Sequence, residues 1–122
     1  MSASTEYLSA VPVLASLNIE RSAEFFAMKL GLINIHVAQG ANGVVANGPV
    51  QTHFWACTDR SIAEATSCRV QVRAIEHLYH QCEGHSIIHP KALLETKAWG
   101  TKEFAVLDPD GNLITFYEYT YA

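Results

Sequence analysis

The sequence predicts an α+β fold in which two paired βαβββ modules form a curved mixed sheet. Three features favour this fold: two amphipathic helices, a strand-like run before each helix, and further strand-like runs after each. The two halves repeat one order of elements, which indicates an internal duplication. A chain of 122 residues has room for a single domain. We expect that domain to span residues 1–122, with modules at 8–62 and 66–121.

The first module is predicted to contain one strand, one helix and then three strands. Its first strand is the apolar run VPVLASL at 11–17. Asn18 suits the N-cap of the following helix and Gly31 suits its end. The apolar stripe of this helix consists of Ala23, Phe26, Ala27 and Leu30. Strand-like runs separated by turn residues then follow at 33–38, 43–46 and 50–56.

The second module repeats this order. A strand-like run at 67–72 precedes a helix that ends near Gly84. The helix carries the same spacing of apolar residues, at Ile75, Leu78, Tyr79 and Cys82. A loop-rich stretch at 84–101 leads to two strands, which are predicted at 102–107 and 112–119.

The acidic turn Asp-Pro-Asp-Gly-Asn at 108–112 joins these last two strands. Pro109 presets φ and Gly111 supplies a positive φ, so the sequence predicts a type I turn that ends in a glycine bulge. A calcium loop needs further oxygen ligands beyond the turn, where this chain has Leu113, Ile114 and Phe116. We therefore interpret the loop as a turn with no other role.

Composition excludes several classes of partner. Eight basic and twelve acidic residues give a net charge of −4 without any Lys/Arg cluster, so we expect no nucleic acid partner. No apolar run approaches the ~20 residues of a membrane helix. The cysteines are odd in number and lack zinc-site spacing, and the N-terminus lacks an export signal. These features favour a protein of the reducing cytoplasm.

Strand alternation predicts which side chains face the helices and which lie on the concave face of the sheet. The purely apolar set Phe54, Ile114 and Phe116 is expected to face the helices. The concave face then receives the more polar set His53, Trp55, Thr115 and Tyr117. Amphipathic aromatic side chains suit a flat ligand. They equally suit the core of a dimer, and the pattern leaves both interpretations open.

The histidine-rich stretch HLYHQCEGHSIIH is the most metal-like segment, but helical geometry argues against a metal site there. His77 and His80 lie opposite the apolar stripe and are expected to face water. Motifs for nucleophilic catalysis and for phosphate binding are missing, including GxSxG, the P-loop and GxGxxG.

Three segments, VPVLASLNIERSAEFFAMKLG, SCRVQVRAIEHLYHQC and WGTKEFAVLDPDGNLITF, resemble the vicinal oxygen chelate superfamily and, within it, bleomycin resistance proteins. The likeness extends from about residue 11 to 119. DPDGN before a strand is widespread in the superfamily, whereas VPVL and WG are closer to the bleomycin-binding branch. The resemblance implies paired βαβββ modules and a homodimer whose crevices hold a ligand.

The resemblance also places the metal ligands of the superfamily's enzymes at four strand positions. Three of these positions are occupied by Val11 or Pro12, by Ser67 and by Thr115, and only His53 fits the fourth. One protein ligand cannot hold a catalytic zinc or iron ion, which needs about three. The resemblance therefore implies a protein without a metal cofactor that binds its ligand and does not transform it.

In resistance proteins of this type, an N-terminal strand crosses to the partner subunit and an aromatic side chain stacks on the drug. Pro12 matches the proline of that strand, and Trp99 matches the stacking aromatic residue. His36 is the only ring in the segment 35–41, where resistance proteins can offer aromatic and acidic partners. The expected ligand-binding residues are Trp99, Trp55, His53, His36, Tyr117 and Thr115.

Three functional hypotheses follow. The first is a non-catalytic homodimer that sequesters a planar, cationic or aromatic small molecule, as bleomycin resistance proteins do. The second is a metal-dependent enzyme of the superfamily, a lyase, dioxygenase or thiol transferase, with His53, His36 and Glu118 as unusual ligands. The third is an interaction module whose concave face binds only a second copy of the chain.

Overall fold

The computed structural model describes residues 3–121. Its elements are β1 (Val13–Ser16), α1 (Ile19–Leu30), β2 (Ile33–Ala38), β3 (Asn42–Asn47), β4 (Val50–Ala56), α2 (Arg60–Glu64), β5 (Ser67–Gln71), α3 (Ile75–Gly84), β6 (Glu95–Thr96), β7 (Thr101–Leu107) and β8 (Leu113–Tyr119). Every predicted helix and strand is present to within about two residues, whereas α2 and β6 were not predicted. Within this part of the chain, no helix has the length and apolar character needed to cross a membrane.

The strands form two mixed four-stranded sheets with the same topology. Strand order is β1-β4-β3-β2 in the first sheet and β5-β8-β7-β6 in the second. In both sheets the strand before the helix pairs in parallel with the last strand, and the other pairings are antiparallel. The matching order supports the internal duplication that the sequence predicts.

One continuous apolar core joins the two halves. Phe26 of α1 packs edge-on against Phe54 of β4, with ring centroids 5.1 Å apart. In the second half, Tyr79 of α3 packs edge-on against Phe104 at 5.1 Å. Phe54, Phe104, Ile114 and Phe116 belong to the same buried cluster, so the predicted helix-facing set is confirmed.

The first helix begins and ends at the residues that the sequence predicts. The Asn18 side chain accepts a hydrogen bond from the Arg21 amide at 3.1 Å. Gly31 adopts φ +74°, a left-handed conformation that glycine tolerates best.

The helix of the second half, α3, begins differently. Ala74 at its N-cap offers no side-chain acceptor, and the Glu118 carboxylate instead accepts from the Ala74 and Ile75 amides, at 3.2 and 3.1 Å.

The 108–112 turn has the predicted conformation. Gly111 has φ +95°, and its amide donates to the Asp108 carbonyl at 3.1 Å. The Asp108 carboxylate accepts from the Asp110 and Asn112 amides at 3.0 and 2.9 Å, which tightens the loop. Burial raises the pKa of Asp108.

The interpretation that this loop has no role beyond the turn is wrong. The buried Asp110 carboxylate reaches the first half of the chain, where it pairs with Arg21 and accepts from the Leu17 amide at 3.2 Å and the Ser22 hydroxyl at 3.3 Å. Asn112 donates to the Ala15 carbonyl at 2.8 Å. The turn therefore fastens the second half of the fold to the end of β1 and the start of α1.

Candidate functional site

Each sheet has one face covered by a helix and one face that is open. We call the face of the first sheet turned away from α1 the first open face, and the face of the second sheet turned away from α3 the second open face. His53 and Trp55 alternate with the buried residues Thr52 and Phe54, and therefore lie on the first open face. Thr115 and Tyr117 alternate with the buried Ile114 and Phe116 on the second.

The first open face carries three of the predicted ligand-binding residues. His36 contacts the Asn42 side chain at 3.1 Å, and Asn42 is the register partner of Trp55. His53 contacts the Gln51 side chain at 3.1 Å. The Trp55 side chain is 41% exposed, although it belongs to a central strand. The two histidines and the tryptophan therefore present rings on one uncovered surface.

The uncovered surface around these rings is also apolar. Val13 is the register partner of His53, and Ile33 lies two strands away. Both side chains are exposed. Ile35 is exposed as well, at the point where the register of β2 against β3 shifts. Exposed apolar residues gathered on one sheet face mark a surface that binds a ligand or a partner.

On the second open face, a buried carboxylate organises the aromatic side chains. Glu103 is 7% exposed and accepts hydrogen bonds from Arg69 at 3.1 and 2.9 Å. It also accepts from the Thr101 hydroxyl at 2.7 Å and from the indole N–H of Trp99 at 3.1 Å. The Arg69 guanidinium stacks 4.5 Å from the centre of the Tyr117 ring. Trp99 and Tyr117 are thus joined through Arg69 and Glu103.

This set of donors keeps the Glu103 carboxylate ionised. The hydrogen bonds from Arg69, followed by those from Thr101 and Trp99, lower the pKa of Glu103 to about 2, although its burial acts in the opposite direction. Arg69 is half exposed and satisfies the carboxylate with two parallel hydrogen bonds. The result is a neutral, ordered patch in which the negative charge is already paired.

The Trp99 indole is the most accessible aromatic ring of this group. It is 68% exposed, and its loop position precedes β7 by two residues. The Lys97 ammonium lies 5.8 Å from the ring centroid and covers one side of it. A flat group that approaches the site can stack on the other side, which favours planar ligands.

A groove of about 530 Å³ lies beside the edge strand β5, between it and the segments that precede β1 and begin β4. It is lined by the segments 9–12, 49–51 and 69–73, and so includes Gln51 beside His53 and Arg69 beside Tyr117. Its volume falls in the range of small-molecule sites. Neither tryptophan lines it, and within residues 3–121 no hydrogen bond or ring contact joins the two groups of predicted residues.

The residues proposed as unusual metal ligands are not assembled. Glu118 points to α3 and accepts hydrogen bonds there, whereas His36 and His53 lie on the first open face. Among residues 3–121 no three His, Cys, Asp or Glu side chains are grouped so as to hold a metal ion. His77 and His80 are exposed on α3, as predicted.

Arg69 and Glu103 are not among the residues predicted from the sequence. The missing signal was the register of the predicted hairpin, in which Glu103 is opposite Tyr117 and Thr101 is opposite Tyr119. Because register partners point to one face, an acidic residue in that register belongs beside the predicted aromatic residues. Arg69 is likewise the register partner of Thr115.

The chain is similar to several known proteins, although no protein-family model matches it. It is 31% identical to the bleomycin resistance protein of Geobacillus stearothermophilus over 128 aligned positions, which cover 91% of this chain and 96% of that protein. The bleomycin resistance protein of Staphylococcus aureus gives the same figures.

Solved structures give the same result for the fold. The bleomycin-binding protein from bleomycin-producing Streptomyces verticillus, complexed with copper(II)-bleomycin, has a TM-score of 0.81 and 23% identity, covering 93% of this chain and 97% of that one. The bleomycin resistance determinant encoded on the transposon Tn5 has a TM-score of 0.79 and 24% identity, covering 94% and 100%. These likenesses confirm the predicted fold class.

The similarity to these two resistance proteins extends over nearly the whole of both chains. Their sequence identity of 31% shows a family relationship and not only a shared fold. It confirms the resemblance that the three sequence segments indicate. The chain belongs to the bleomycin resistance protein family.

Proposed function

We propose that this protein binds a planar, cationic antibiotic of the bleomycin type and sequesters it without transforming it. The observation that carries this proposal is the pair of open, ring-bearing faces in a chain of the bleomycin resistance family. Trp99 and Tyr117 provide rings on one face, and Trp55, His53 and His36 provide rings on the other. Thr115 adds a hydroxyl beside Arg69. Such surfaces favour flat ligands over ligands recognised by many hydrogen bonds.

The proposed binding site is completed in a homodimer. Val13 and Ile33 are exposed on the first open face, and burying such a surface against a second copy is favourable. The segment before β1 is loosely attached to its own chain: Tyr7 and Leu8 are exposed, and among residues 3–12 the single backbone hydrogen bond to the sheet is the one that the Pro12 carbonyl accepts from the His53 amide at 3.0 Å. We propose that Pro12 belongs to a strand that crosses to the partner, so that a crevice combines faces from two chains.

Binding without catalysis is supported by the side chains at the positions where related enzymes hold a metal ion. Ser67 and Thr115 offer only hydroxyl groups, and Val11 and Pro12 offer none. The free thiols of Cys57, Cys68 and Cys82 are consistent with a reducing cytoplasm. We propose the two modules, 8–62 and 66–121, as the units of a duplicated single domain that spans 1–122.

The proposal is tested by titrating metal-free bleomycin into the protein while following tryptophan fluorescence. We expect a saturable change in emission and an affinity about twofold to tenfold weaker in Trp99→Ala, because this substitution removes the stacking interaction, which is worth about 0.5–1.5 kcal/mol beyond area burial. Met28→Ala, an exposed position on α1, serves as a control that should bind like the wild type. Unchanged emission in the wild type at all drug concentrations would refute the drug assignment.

A further inference from the structure

The Trp99 ring is ordered by one polar contact rather than by packing. The side chain is 68% exposed, and the Lys97 ammonium lies 5.8 Å from the centroid of its ring. Exposed side chains of this kind change rotamer freely unless a directional contact holds them. That contact is the hydrogen bond from the indole N–H to Glu103, 3.1 Å long.

The acceptor is itself firmly held. Glu103 is anchored by two hydrogen bonds from Arg69 and one from Thr101. The indole donates to the Oε2 atom of Glu103, which also accepts from Arg69 and from Thr101. Arg69 belongs to β5, and its guanidinium also rests on the Tyr117 ring of β8. The indole edge is therefore fixed to three strands of the sheet, whereas its outer face stays free.

We propose that Glu103 is a positioning residue for the ligand, which fixes the Trp99 indole edge-on to the second open face before the ligand arrives. This inference rests on the proposed function, in which Trp99 stacks on a planar ligand. A ring that is already fixed in the stacking orientation loses less conformational entropy on binding, and this smaller loss increases the affinity. The role differs from a general structural one, because it acts only through the ring of Trp99.

A double-mutant cycle separates these two roles. We expect Glu103→Ala to weaken metal-free bleomycin binding about threefold to tenfold when Trp99 is present. In the Trp99→Phe background, where the N–H donor is gone, the same change should alter affinity by less than about twofold. Equal losses in both backgrounds would overturn the proposal. Glu76→Ala is the matched control, because its partner Lys102 alternates with Thr101 and Glu103 along β7 and therefore lies on the opposite face of the sheet.

A second measurement needs no ligand. The chain has two tryptophans, so two indole N–H resonances are expected in a nitrogen–proton correlation spectrum, and Trp99→Phe identifies the relevant one. Glu103→Ala should shift this resonance and speed its solvent exchange about fivefold, the loss expected for one hydrogen bond. Glu103→Gln retains an acceptor oxygen and should restore the resonance toward its wild-type position. An unchanged resonance in Glu103→Ala would overturn the proposal.

The bleomycin-binding measurements and the indole resonance distinguish failure of the proposed function from failure of the positioning role. If the wild type binds no bleomycin, the proposed function fails, and the indole resonance alone decides whether Glu103 holds the ring. If the wild type binds and the cycle shows no coupling, the proposed function stands and the positioning role is wrong.

Discussion

Replacing Asp110 by alanine should weaken the attachment between the two halves of the fold. The Asp110 side chain is fully buried in a turn of the second half, and its three partners lie in the first half, with Leu17 just before the first helix and Arg21 and Ser22 in its first turns. The substitution removes every one of these contacts at once. It leaves Gly111, which determines the turn conformation, in place.

The loss of stability in Asp110→Ala can be estimated from these three contacts. A hydrogen bond to a charged group is worth about 1.5–3 kcal/mol, and removing one member of a buried ion pair costs about 3–5 kcal/mol. Arg21 is about half exposed and regains water when the carboxylate is lost, which reduces the cost. We expect a loss of about 2–4 kcal/mol in the free energy of unfolding. For a chain of this length that corresponds to a fall in Tm of roughly 10 °C.

The assay is urea and thermal unfolding followed by circular dichroism. Asp59→Ala is the matched control, because Asp59 is an exposed acidic N-cap of α2 whose carboxylate accepts hydrogen bonds from the nearby Ser61. Asp110→Asn should fall between the wild type and Asp110→Ala, since it keeps acceptor capacity without charge. An Asp110→Ala protein no less stable than Asp59→Ala would refute the idea that this turn fastens the two halves.

Three further changes probe other parts of the fold. Because the folded pKa of Glu103 is about 2, below its ordinary 4.5, its contribution is present above about pH 4.5 and lost as pH falls toward 2. Unfolding free energy should therefore decline over that window, and less steeply in Glu103→Gln. Gly43→Ala places a Cβ 2.9 Å from Ile19, so urea unfolding should show a loss of about 1–3 kcal/mol. Glu118→Ala removes the carboxylate that accepts from the first amides of α3 and should cost about 1 kcal/mol in the same assay.

The sequence predicts the order of elements and the assignment of faces because both depend on local periodicity. Alternation along β4 and β8 separates Phe54 and Phe116 from His53 and Tyr117, and the structure places them on opposite faces. Asn18 and Gly31 determine the ends of α1 through local backbone chemistry. These features need no knowledge of the tertiary fold.

Local periodicity does not predict contacts between residues that are far apart in the sequence. Arg69 and Glu103 are separated by 34 positions, and Leu17 and Asp110 by 93. The first pairing depends on the order of the strands in the second sheet, and the second depends on how the two halves dock; periodicity describes neither. The start of α3 is similar, since its acceptor is Glu118, 43 positions after Ile75.

The two unpredicted elements are too short to show a period. Helix α2 has five residues and β6 has two, so neither completes the repeat by which helices and strands are recognised. Helix α2 packs the buried Ala63 against Ala15 and Cys57, a satellite of the main core. Its N-cap, Asp59, is the one local signal that was available.

Calorimetric titration of metal-free bleomycin, followed by mass analysis of the recovered drug, tests the central claim most directly. We expect saturable binding to the wild type with no more than one drug per chain, and recovery of the drug at its original mass. Absence of binding heat, or recovery of a chemically altered drug, would contradict it.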